Sequence, residues 1–138
     1  MIDPAYNAWA DERLIVHLRA LDRPQGVDGV LAHLAMAGET WLARLDGTQS
    51  PSELWPSLAF EESAVRLAAV NARLREPREE RPIHYRSFAG DPFENSVAEI
   101  LTHVLNHATY HRGEIAGLLL AAGLEPPLTD YIVYLRER

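Results

Sequence analysis

Apolar residues return at helical spacing in four successive segments of this chain, and each segment is closed by proline or glycine. Helices packed on helices are the expected architecture. The first segment, Tyr6 to Leu21, carries Trp9, Leu14, Ile15, Leu18 and Leu21 and stops before Pro24 and Gly26. The second begins after Gly26, with Asp28 in its first turn where a carboxylate favours the helix dipole, and runs through Leu31, Leu34, Trp41, Leu42 and Leu45 to Gly47. Thr48 to Pro56 reads as a loop, with Leu54 and Trp55 packing down on the helices. The third helix covers Leu58 to Arg75, with Val65, Leu67, Ala68 and Leu74 as its apolar positions, and Pro77 ends it.

Arg78 to Arg81 is a charged connector. Ile83, Tyr85 and Phe88 then alternate with polar neighbours up to Ala89-Gly90-Asp91-Pro92, the pattern of one or two short strands around a turn. Asn95 or Ser96 can cap a long fourth helix that reaches Ala122, where Gly123 supplies the stop. The tail from Leu124 to Arg138 is expected to fold back as a short extra helix. At 138 residues the chain fits one domain, 1–138.

Composition narrows the chemistry. Twenty acidic residues stand against 13 basic ones, for a net charge of -7, and every basic residue is arginine. The arginines are scattered and form no basic face, so nucleic acid is not an expected partner. Without cysteine or lysine there is no protein thiolate nucleophile, no Schiff base and no cysteine-based metal site, so any metal must sit on histidine and carboxylate. No run approaches the roughly 20 apolar residues of a membrane span, and Met1 to Ala10 lacks a basic region followed by an apolar run, so the expected location is the cytoplasm.

Three of the six histidines fall at His103, His107 and His111, four apart on the fourth helix and therefore on one side of it. Ile100, Val104, Ala108, Ile115, Leu118 and Leu119 define the buried stripe of that helix. His111 lies inside the stripe, His107 on its margin and His103 further towards solvent, which favours His107 and His111 as a metal pair with His103 in support. A histidine pair at this spacing also arises in ordinary helices, so the pair alone leaves both roles open. Ala108 follows His107 where a zincin has its glutamate, which disfavours peptide hydrolysis by that route. His33 sits at the flank of the second helix's stripe and periodicity does not decide its role. His17 and His84 read as surface or strand positions.

The run from His103 through Asn106, His107, Tyr110, His111 and Arg112 to Glu114 and Ile115 resembles the signature of the DinB/YfiT-like metalloenzyme family. The likeness extends to Tyr6, Asn7, Trp9 and Ala10, to His33, Leu34, Trp41 and Arg44, and to Gly123, Pro126, Asp130 and Tyr131. It implies an all-α, up-down-down-up four-helix bundle with a long crossover. It also implies a divalent metal, zinc or nickel, on His33, His107 and His111, and a homodimer. Glu114 departs from the family's usual glutamine; it can orient a ligand, act as a base or simply be solvated, and the solvated role is the expected one. Characterised relatives include transferases that use a low-molecular-weight thiol, and some are hydrolase-like. The leading expectation is therefore transfer of such a thiol to a small electrophile. The alternatives are a metal-dependent hydrolase, a bundle that binds metal or a small ligand without catalysis, and a plain helical dimerisation module.

Overall fold

The computed structural model describes residues 2–138, which form five helices and one two-stranded antiparallel sheet. Helix α1 (Pro4–Arg19) starts where the Asp3 carboxylate accepts from the Ala5 N–H at 2.9 Å and Pro4 takes the first helical position. Helix α2 (Val27–Asp46) is bounded by two glycines in left-handed conformation, Gly26 (φ 97°) and Gly47 (φ 68°). Helix α3 is Phe60–Leu74. Strands β1 (Pro82–Arg86) and β2 (Pro92–Ser96) pair from Pro82 with Ser96 to Arg86 with Pro92. The expected hairpin is therefore present between α3 and α4, although Phe88 lies in its turn and not in a strand.

Strand β2 runs directly into helix α4 (Val97–Ala121), because Ser96 caps it. The Ser96 hydroxyl accepts from the Glu99 N–H, and the Glu99 carboxylate accepts from the Ser96 N–H in return. Helix α5 (Tyr131–Glu137) folds the tail back onto α1, where the Tyr6 hydroxyl donates to the Thr129 carbonyl at 2.7 Å.

Helix α1 packs on α3 and α4, and α2 packs on the same two helices from its own side. One core cluster gathers Leu18, Leu31, Ile115 and Leu119; a second gathers Leu42, Leu45 and Ile100 and takes in Ile83 from β1. On α3 the buried face is Phe60, Ser63, Ala64, Leu67, Val70, Asn71 and Leu74. Val65, expected among the apolar positions facing the core, points outward at 68% exposure, one helical step off that face. Helices α2 and α3 meet closely at Gly38, where a Cβ atom would stand 2.5 Å from a Val70 methyl. Among the described residues no helix is long and apolar enough to cross a membrane.

Polar groups also hold α1, α3 and α4 together from inside. Arg112 and Asp11 are each almost fully buried, and Arg112 Nη1 donates to Asp11 Oδ1 at 2.7 Å and to Asn7 Oδ1 at 2.8 Å. The second Asp11 oxygen accepts from Asn71 Nδ2 at 2.8 Å and from Asn7 Nδ2 at 3.3 Å, and Asn7 Nδ2 also donates to Asn71 Oδ1 at 2.7 Å. Removing either charged member strands the other in the interior, which costs about 3–5 kcal/mol. Asp11→Ala is expected to lower unfolding free energy by about that amount in urea denaturation, whereas Val65→Ala, on the solvent face of α3, is expected to leave the midpoint nearly unchanged.

Candidate metal centre

Helices α2 and α4 bring His33, His107 and His111 together, so that one nitrogen of each lies within 4.8 Å of the others. His33 and His111 are buried and His107 is half-buried. The His107 Nε2 atom stands 3.3 Å from His33 Nε2 and 3.1 Å from His111 Nε2. Two imidazole nitrogens bound to one tetrahedral zinc at about 2.0–2.1 Å lie roughly 3.3–3.4 Å apart, and these rings are already spaced so.

The opposite ring nitrogens fix the tautomers. His33 Nδ1 is 2.7 Å from the Leu54 carbonyl, which can only accept, so Nδ1 carries the proton and Nε2 the lone pair. His111 Nδ1 is 2.8 Å from Glu114 Oε2, one turn along α4, with the same result. Two inward nitrogens are thus acceptors crowded against a third ring, an arrangement that fits a shared cation and leaves their lone pairs poorly used without one. Glu114 reaches the cluster and is not merely solvated, and its carboxylate is engaged with Nδ1, on the side of the ring away from the convergence point.

Burial lowers the pKa of His107 to about 4, helped by the neighbouring His111, His33 and His103 rings, and burial likewise lowers His33 against the opposing pull of the Leu54 carbonyl. His107 and His33 are therefore held in the neutral form that a ligand must have at neutral pH. Trp55, half-exposed in the loop after α2, stacks on His33 with centroids 3.8 Å apart and planes within 5°.

His103 stays outside the cluster. It is exposed on α4, with its ring edge-on to Trp41 at 5.0 Å. His17 holds the Glu125 carbonyl at 2.7 Å and His84 lies beside Glu94 at 3.2 Å, both away from the three rings. An open cavity of about 340 Å³ runs from His33 and His107 past Ala37 and Trp41 to Arg44 and Tyr85. A larger hollow of about 510 Å³ between α1 and α3 contains no histidine.

With this geometry in place, comparison with known proteins identifies the class. The family model described as the DinB family matches residues 4–138, and the chain belongs to that family. It is similar to Protein DinB of Bacillus subtilis (strain 168), at 25% identity over an alignment covering 94% of this chain and 90% of that protein. No solved structure matches it.

The Leu54 carbonyl and the buried Asp11–Arg112 network escaped the sequence reading. A main-chain acceptor leaves no trace in residue identity, and charged residues in a helix are ordinarily read as its wet face.

The His107 value sets a pH window. The unfolded ring titrates near 6.5 and the folded ring near 4, so between these values the unfolded chain binds a proton that the folded chain refuses. The stability of metal-free protein should be complete above 6.5 and fall as pH drops towards 4. Thermal melts of chelator-treated protein across this range should show the decline, and His107→Gln should flatten it.

Proposed function

We propose that this DinB-family chain is a divalent-metal-dependent enzyme that transfers a low-molecular-weight thiol to a small electrophile. His33, His107 and His111 serve as the ligands of a zinc or nickel ion. The observation that carries this reading is the convergence of three Nε2 atoms with two of the three Nδ1 protons already committed to the Leu54 carbonyl and the Glu114 carboxylate. Three neutral imidazoles leave coordination positions free, and among the described residues no carboxylate or further imidazole joins the cluster to close it. When bound, the ion supplies Lewis acidity and lowers the pKa of a coordinated thiol or water towards neutrality.

The chain's own residues supply the rest. Leu54 and Glu114 orient two ligand rings, His33 and His111, through their Nδ1 atoms. The cavity beside His33 and His107 gives room for a substrate, and the thiol must come from outside because the protein has no cysteine. The cycle of helix contacts, α1 with α3, α3 with α2, α2 with α4 and α4 with α1, supports an up-down-down-up four-helix bundle forming one domain. A cytoplasmic homodimer completes the proposal. The same site, given water in place of thiol, accommodates the hydrolase alternative.

Zinc-loaded protein is expected to turn over a chromogenic electrophile with at least one low-molecular-weight thiol. No rate above that of free zinc with any thiol would reject the transferase. Elemental analysis should find one metal per chain in the wild type and little in His107→Ala. Glu114→Leu is expected to weaken zinc affinity about 10- to 100-fold, as loss of an outer-shell partner does, while Glu114→Gln retains an acceptor and most of the affinity.

A further inference from the structure

The open cavity that begins at the imidazoles ends on a cation that the fold leaves without a counter-charge. Helical steps from His33 through Ala37 and Trp41 to Arg44 stay on one side of α2 and cover about 16 Å along its axis. The Arg44 guanidinium carbon lies 4.4 Å from the Trp41 ring centroid, 4.7 Å from Tyr85 and 5.8 Å from Phe88. Its one hydrogen bond runs from Nη2 to the Arg86 carbonyl at 3.2 Å, so Nε and Nη1 bond to none of the described residues. Among the described residues Arg13, Arg19, Arg23, Arg66, Arg73, Arg78 and Arg112 pair with carboxylates; the arginines that do not are exposed, except Arg44, which is half-buried.

In a chain where acids outnumber bases, an unpaired arginine partly withdrawn from water is an unusual expense. Burial against the rings lowers its pKa, the direction expected of a cation short of compensation. A planar guanidinium with free donors matches a carboxylate in a two-pronged bond. The rings around it offer faces and edges to a flat apolar body. The volume of about 340 Å³ lies at the small end of the range for organic ligands.

We propose that this cavity binds a small aromatic carboxylate, with the anion on Arg44, the ring among Trp41, Tyr85 and Phe88, and the far end towards His33 and His107. Only the last element rests on the metal-centre reading; the binding of the anion stands independently of it.

The test uses phenylacetate and its neutral isostere phenylacetamide, titrated calorimetrically into metal-free and zinc-loaded protein. Phenylacetate is expected to bind about tenfold or more tightly than the amide in both forms, the gain of a charge-assisted bond. Arg44→Gln should bring the ratio near one with zinc stoichiometry unchanged, and Arg44→Lys should keep a preference for the acid. In wild-type protein the Arg44 Nε–Hε resonance should shift with the acid and not with the amide, a readout that needs no variant to fold. Equal affinities, no measurable binding of either compound, or an unchanged ratio in Arg44→Gln would overturn the assignment. A preserved preference in protein that takes up no zinc would sink the metal centre and uphold the anion site.

Discussion

The carboxylate of Asp11 and the guanidinium of Arg112 are both withdrawn almost wholly from water, and such a pair is tolerable only where neighbouring polar groups take up most of its donors and acceptors. Asn7, Asn71 and Thr109 supply these partners and leave Arg112 Nε as the pair's one buried donor without an acceptor among the described residues, so α1 and α3 must present their side chains at one level against α4. This fixes the rotation and the height of α4 far more sharply than greasy contacts do, since apolar surfaces slide at little cost while a displaced charge does not. Arg112 follows His111 directly. Once the arginine is turned towards α1, the imidazole one step before it faces α2, and His107, a turn earlier, faces the same way.

The candidate centre is in this sense a by-product of how the core is locked. Helix α2 answers with His33, and its ring is held on three sides by His107, by the stacked indole of Trp55 and by the Leu54 carbonyl. A ring constrained so fully loses little freedom when it takes up an ion, and the low basicity of His33 and His107 keeps protons from competing there at neutral pH.

Much of this was legible in the sequence, and the exceptions have physical causes. Gly26 and Gly47 marked the ends of α2 because left-handed backbone is cheap there only for glycine, and of the two capping candidates for α4, Asn95 and Ser96, the structure selects Ser96 through its reciprocal bonds with Glu99. Ile100, Val104, Ala108, Ile115 and Leu119 are buried as their spacing implied. His33 was not decided by periodicity because α2 is covered by α3, α4 and β1, so it has no clean polar side against which a flank can be judged. Glu114 lay within reach of His111 by helical spacing alone, but only a side-chain rotamer decides between solvent and the ring. Arg44 announced itself as one more charged residue of α2, and its want of a partner is a property of three dimensions.

One of the grips on His33, the Leu54 carbonyl, comes from peptide backbone, and this sets what that part of the centre can tolerate over time. Any amino acid at position 54 presents the same oxygen, so point substitutions in the stretch after α2, Trp55 with its stacked indole excepted, leave that hydrogen bond in place. Lengthening or shortening that stretch by a single residue moves the oxygen away. Away from the stacked indole, drift in the letters of this loop is therefore cheap, and drift in its length is not.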